Sequence, residues 1–293
     1  MGSGRLTSDS WTRYSTKHLV GRSAEKIYTE SALDSTLDPK DVKVRESCDS
    51  ADSPESTAVI IALDVTGSMG NVLAAVAKKL GDLVLQIYDK QPITNPHLMF
   101  MGIGDAEMGD RAPLQVTQFE ADIRIAEQLR KIYFEQGGGG NGYESYILAW
   151  YFAGFHTKID CFDKRKKKGF LFTIGDEEPT PMIRACDAER VLGYKPEKDF
   201  SAEEVLEAAK GMYHVYHLVI EEGQHCRANR DVVMREWSNL LGERAIPVSN
   251  HEKVAEVILS ILQRASGKKV DEITSDMDAD TKSTVERAIG SLS

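Results

Sequence analysis

Between residues 57 and 265, apolar runs of strand length alternate with stretches in which apolar residues recur every three or four positions. That alternation restricts the chain to a sheet wrapped by helices, because strands joined by helices run parallel and need cover on both faces. Strands are expected at 57–63, 97–103, 114–118, 169–174, 213–220 and 245–248. Most are apolar at consecutive positions, as a central parallel strand should be. The 114–118 run alternates more and suits an edge, where an antiparallel strand fits. Helices are expected at 123–134, 144–156, 182–192, 202–210 and 229–241. Two more carry apolar stripes, Val72, Val76, Leu80, Leu83, Val84 and Ile87 in one and Val254, Val257, Ile258, Ile261 and Leu262 in the other. The expected fold class is α/β: a doubly wound, mostly parallel six-stranded sheet with helices on both faces, Rossmann-like in its winding.

The flanks differ in composition. Residues 1–56 are rich in Ser, Thr, Asp and Lys with isolated apolar residues, which reads as a polar arm and linker from which Trp11 and Tyr14 can dock on the domain. Residues 266–293 form a polar tail in which Val285, Ile289 and Leu292 share one helical face, for this domain or for a partner. With 46 acidic against 36 basic side chains the net charge is -10, which argues against a nucleic-acid coat. The four cysteines, Cys48, Cys161, Cys186 and Cys226, are scattered and form no paired motif, so neither a zinc knuckle nor a dense disulfide framework is expected. No apolar run has the length of a membrane span and the first residues lack a secretory stretch, so a cytoplasmic address is expected.

The strand at 57–63 ends abruptly at Asp64-Val65-Thr66-Gly67-Ser68-Met69-Gly70. A carboxylate and two hydroxyls at alternate positions, on a strand-to-helix loop, can converge on one hard cation, for which oxygen ligands are the rule. The same residues equally make a solvated turn with Thr or Ser as a helix cap. In an open parallel sheet ligands bind outside the carboxyl ends of strands, so companions of this loop should also follow strands. The run 169–179 places Thr173, Asp176, Glu177 and Glu178 in such a position. A second loop, 137–145, has four consecutive glycines and then Asn141, Gly142, Tyr143, Glu144 and Ser145, and glycines there allow close approach to an ion. A further acidic loop, 102–110, follows the second strand; acidic loop tips are usually solvated, and the other reading puts Asp105 behind the ligands or at the rim of the site.

The Asp64-Thr66-Ser68 segment resembles the DxSxS metal-ion-dependent adhesion site (MIDAS) of von Willebrand factor type A domains, with Thr66 in place of the first Ser. The resemblance covers roughly residues 57–265. It implies Mg2+ (or Mn2+ or Ca2+) held by Asp64, Thr66 and Ser68, with Asp176 or Glu177 as the carboxylate that follows a later strand, Asp176 being the better match. Many members carry a Thr in the glycine loop. This chain resembles instead the GGGDxPE variant of the alpha-kinase-linked and hemicentin-like branches, whose YRDH-containing loop the 102–110 segment also resembles. Glu144 then stands near the Thr position, with Ser145 and Asn141 as other donors. The implied function is metal-dependent recognition of a protein partner that offers an acidic side chain, without turnover, by an intracellular scaffold or adaptor.

The competing reading is a metal-dependent hydrolase or phosphatase built on the same carboxylates. A haloacid-dehalogenase-like phosphatase needs a second Asp where Thr66 stands, a P-loop needs a Gly-Lys-Ser or Gly-Lys-Thr ending that is missing, and Ser68 has no G-x-S-x-G elbow. His214 and His217 are three apart in a strand and so face opposite ways, which disfavours a shared metal. The run Lys164-Arg165-Lys166-Lys167-Lys168, at the sheet end away from Asp64, reads by default as a solvated loop, the alternative being a contact for an anionic surface or nucleic acid.

Overall fold

Thr57–Asp64 (β1) is buried at every position after Thr57, and the whole sheet is organised around it. The remaining strands are Pro96–Ile103 (β2), Leu114–Val116 (β3), Gly169–Gly175 (β4), Tyr213–Ile220 (β5) and Ala245–Val248 (β6). They form one six-stranded sheet in the order β6-β5-β4-β1-β2-β3. All pairings are parallel except β2 with β3, which is antiparallel and places the expected edge strand at the edge. The computed structural model describes residues 5–135 and 140–292, and the side chains of residues 24, 25, 41, 68, 70, 71, 73, 77 and 80, among them Leu80 of the expected stripe, lie outside that description.

Alternate positions of β1 feed different cores, as the two-residue period of a strand requires. Val59, Ile61 and Leu63 pack with Val84 and Ile87 of the helix Gly70–Lys90 and with Val257, Ile258, Ile261 and Leu262 of Val254–Ala265. Ala58, Ile60 and Ala62 pack with Tyr146–Phe155, with Ala202–Met212 and with Trp237 of Gln224–Leu241. Tyr146–Phe155 is buried from Tyr146 to Ala153 on every side, so its sequence carries no polar stripe. Helices therefore surround a mixed α/β sheet, and no helix among the described residues is long and apolar enough to cross a membrane.

Several element ends differ from expectation for local reasons. The helix expected at 123–134 is Arg124–Leu129, followed by turns in which Lys131 and Ile132 donate to carbonyls three residues back. Met182 and Ile183 pair antiparallel with Phe200 and Ser201, so the helix there begins only at Ala185. The helix expected from 229 begins at Gln224 and is bent at Asn229 (φ -126°, ψ 24°), whose side-chain amide donates to the His225 carbonyl. Such local side-chain bonds compete with the helical ladder.

The flanks are built into the domain. Thr7 caps a helix Ser8–His18 through a reciprocal pair with Ser10, and Trp11 on that helix is buried. Its indole lies where a Cβ on Gly81 would be, 1.9 Å away, so only glycine admits it. Leu6, Leu19, Ile27, Tyr28 and Leu37 join the same core. Residues Arg45–Ser47 pair in parallel with Thr157–Ile159. At the other end Val285 and Ile289 of Ala279–Ile289, with Leu292, are buried in that core, and Arg287 bonds Glu221 at 2.7 Å.

Candidate functional site

Three adjacent parallel strands end in carboxylates. In the register of the sheet Asp64 follows Leu63, which stands beside Ile174, so Asp176 leaves β4 one step beyond the end of β1. On the other side Asp64 pairs with Ile103, and Asp105 follows two residues later. Asp64, Asp105 and Asp176 are all completely buried.

Asp64 Oδ1 accepts hydrogen bonds from the Thr66 amide at 2.8 Å and the Thr66 hydroxyl at 2.6 Å, which closes the loop after the strand. Its other oxygen accepts the Tyr146 phenol at 3.0 Å. The Thr66 hydroxyl thus sits on the same carboxylate oxygen as its own amide. Gly67–Met69 form a short helical turn leading into Gly70–Lys90, while the Ser68 side chain lies outside the described residues. Asp176 Oδ2 accepts the His225 backbone N–H at 2.8 Å, at the start of Gln224–Leu241, where unpaired amides favour an anion.

Glu144 reaches the same region through a short parallel pairing, Tyr143–Glu144 with Glu178–Pro179. Its side chain is 1% exposed and its Oε2 is buried without a hydrogen-bond partner. Burial first, and then the neighbouring charges of Asp64 and Glu177, push its carboxyl up to about 11. Burial also raises Asp64 to about 7 and Glu177 to about 8, Asp176 adding to both. Among the described residues no Lys or Arg forms an ion pair with Asp64, Glu144 or Glu177. Buried carboxylates without a counter-charge either hold protons or receive a cation. Oxygen donors of this kind suit a hard divalent ion. Among the described residues no group of three or more His, Cys, Asp or Glu side chains is placed to hold a metal ion.

Ser145 and Asn141 serve the neighbouring loop. The Ser145 hydroxyl accepts the Ala106 N–H at 2.9 Å, and the Asn141 amide donates to Asp105 Oδ2 at 2.7 Å. Asp105 Oδ1 accepts the amides of Glu107 and Met108, so this carboxylate organises its own turn. Glycines 137–139 of the glycine loop lie outside the described residues.

Four supporting residues have no motif to announce them. Tyr146 bonds Asp64 and sits edge-on to His217 and Trp237, at ring separations of 4.9 and 5.4 Å. Gly175 makes room for it, since a Cβ there would lie 1.9 Å from the phenol oxygen. Gly223 makes room for Asp176 in the same way, at 2.2 Å from its Cβ. Trp237 donates its indole N–H to the Glu177 carbonyl at 2.9 Å and stacks on His217. A buried Tyr normally finds a partner for its hydroxyl, but the segment 146–155 holds both Tyr146 and Tyr151, so the sequence does not single out the one that meets Asp64. His217 is held neutral by burial and bonds Thr173, whereas His214 faces the other core beside Phe170, so the two do not share a ligand.

No protein-family model and no curated protein matches the chain. Among solved structures it is similar to the pilus adhesin SpaC from Lactobacillus rhamnosus GG in its open conformation, at 10% identity and a TM-score of 0.46, over 75% of this chain and 30% of the adhesin. A second crystal form of that adhesin gives 10% identity and a TM-score of 0.44, over 75% of this chain and 31% of the other. The chain spans about 30% of the length of that adhesin.

Proposed function

We propose that the chain is a von Willebrand factor type A module with a doubly wound sheet, and that it recognises a protein partner through a divalent cation, Mg2+ or else Mn2+ or Ca2+. Asp64, Thr66 and Ser68 would hold the ion together with Asp176, and Glu144 or Ser145 would complete its surroundings. The observation that carries the reading is the pair Asp64 and Asp176, each completely buried at the carboxyl end of one of two adjacent parallel strands. The Glu144 Oε2, buried without a hydrogen-bond partner, is a further oxygen donor whose ionised form a cation would favour.

When bound, the cation supplies a coordination position that an acidic side chain of the partner takes. The protein's own residues prepare for it. Tyr146 and Thr66 fix both oxygens of Asp64 from opposite sides, and the His225 amide fixes Asp176. The chain would act in the cytoplasm as a scaffold or adaptor.

The test is a Mg2+ titration followed by thermal unfolding, on the native chain and on Asp64→Ala, with partner capture from each. A ligand of the folded state at about a hundred times its Kd adds about 2.7 kcal/mol. The native melting temperature should therefore rise by several degrees and that of the variant should not. A variant that keeps both the Mg2+ response and its partners refutes the proposal. Mg2+-dependent phosphate release from a generic phosphomonoester, lost in the variant, would favour a hydrolase instead.

A further inference from the structure

At the opposite end of the sheet from Asp64, the basic run splits into two halves with different surroundings. Arg165 grips Asp49 through both terminal nitrogens at 2.6 and 3.1 Å, and Lys164 pairs with Asp160 at 2.7 Å. These two charges are neutralised. The next three are not: Lys166 lies over the Phe162 ring, Lys168 donates to the Lys210 carbonyl, and none of Lys166, Lys167 and Lys168 forms an ion pair among the described residues. All three line a concavity of about 600 Å³.

The composition of that concavity is unusual for this chain. Among the described residues no Asp or Glu lines it, although the sequence has 46 acidic side chains. Its floor is apolar, formed by Ile93, Phe170 and Leu262, with the His214 ring 5.3 Å from that of Phe170. Burial, and then the positive charges of Arg244 and Lys168, hold His214 below its usual range. A few charged residues beside apolar ones, in a volume of this size, is the make-up of a small-molecule site. Lysines without carboxylate partners attract an anion, and an apolar floor gains by covering apolar surface.

We propose that this concavity binds a small anion with an apolar body, of the aryl or alkyl phosphate class, its charged group against Lys167 and Lys168 and its body over Phe170, Ile93 and Leu262. The site is independent of Asp64 and of the cation reading. The test is calorimetric titration of the full chain with phenyl phosphate, inorganic phosphate and benzyl alcohol. Phenyl phosphate should bind at least about tenfold more tightly than either half-probe. Lys167→Glu should weaken it by about tenfold or more by placing a carboxylate at the mouth. Ala265→Phe should weaken it equally by filling the floor with all cations kept, while Asp64→Ala should leave it unchanged. Circular dichroism melts establish that each variant is folded. Sedimentation with phosphatidylcholine vesicles, with and without phosphatidic acid, identifies the source. Capture by the acidic vesicles alone, lost in Lys167→Glu, assigns the anion to a lipid headgroup, and phenyl phosphate binding without capture assigns it to a soluble molecule. Equal affinities for phosphate and phenyl phosphate, or affinities unchanged in both pocket variants, overturn the proposal.

Discussion

Replacing Gly223 with alanine is the sharpest probe of the carboxylate site, because the backbone itself tolerates the change. Gly223 has φ -59° and ψ 151°, a region that alanine adopts without strain, so any cost is steric. The new Cβ would stand 2.2 Å from Asp176 Cβ and 2.3 Å from its Cγ and Oδ2. Contact at Cβ cannot be relieved by rotating the end of the side chain. Asp176 has to move with its backbone, and its 2.8 Å bond from the His225 amide is lost with it. Overpacking of this kind costs about 1–3 kcal/mol, and a lost hydrogen bond to a charged group about 1.5–3 kcal/mol. The two effects share one displacement, so about 3 kcal/mol is expected in urea unfolding without divalent ions. With Mg2+ at about a hundred times its Kd the gap should widen by about 2.7 kcal/mol, because only the native chain gains the ion. Gly211→Ala is the matched control. Gly211 lies in the helix Ala202–Met212 with nothing within 4 Å of the added Cβ. It should gain about 0.5–1 kcal/mol from a better helix former. If Gly223→Ala unfolds at the native urea concentration and keeps the native Mg2+ response, the argument from crowding at Asp176 is refuted.

Three further outcomes are expected. Tyr146→Phe keeps the ring stack but removes the donor to Asp64, which should cost about 1.5–3 kcal/mol and weaken Mg2+ binding in calorimetry; unchanged affinity would exclude Tyr146 from holding Asp64 in place. Trp11→Ala should cost about 3–5 kcal/mol and expose residues 8–18 to hydrogen exchange and proteolysis, whereas an unchanged exchange pattern would show that the helix is held without its indole. His97 is completely buried at the other end of β2, its Nδ1 against the Ser47 hydroxyl at 3.1 Å, and burial holds its imidazole down at about 4. The unfolded chain takes up this proton first, near pH 6.5, so the stability that the neutral ring contributes is intact above that pH and is lost as pH falls from there to about 4. The loss amounts to about 3 kcal/mol, and His97→Leu should flatten the unfolding free energy against pH by about one proton over that window; a slope equal to the native one would show that other groups carry the acid sensitivity.

The sheet was legible because its strands are apolar at consecutive positions, and a buried parallel strand has no other way to be written. Residues 114–118 differed only in alternating, and that was enough to mark the edge and the antiparallel pairing. The arm was legible only at Trp11 and Tyr14, whose size announced their docking. Leu6, Leu19, Ile27 and Leu37 each enter the core at a separate point, so no period connects them, and the glycine that admits Trp11 lies in another helix. The same distinction divides the site. Asp64 and Thr66 are neighbours in sequence and bond each other across two residues. Tyr146 reaches Asp64 across 82 positions and His225 reaches Asp176 across 49, contacts that no local pattern encodes.

Charge shows the limit of composition most plainly. A net value of -10 describes an acidic protein, yet the fold sorts its charges along the strands. The carboxylates Asp64, Asp105 and Asp176 leave the carboxyl ends of three adjacent strands. Lys166, Lys167 and Lys168 enter β4 at its amino end, and the acids that neutralise the start of their run, Asp49 and Asp160, are spent on Lys164 and Arg165. The same strand that carries Asp176 into the buried carboxylates begins at unneutralised lysines. A single sheet thus gathers buried carboxyl groups at one end and lysines without ion-pair partners at the other, and the short span of β4, Gly169–Gly175, is what keeps the two apart.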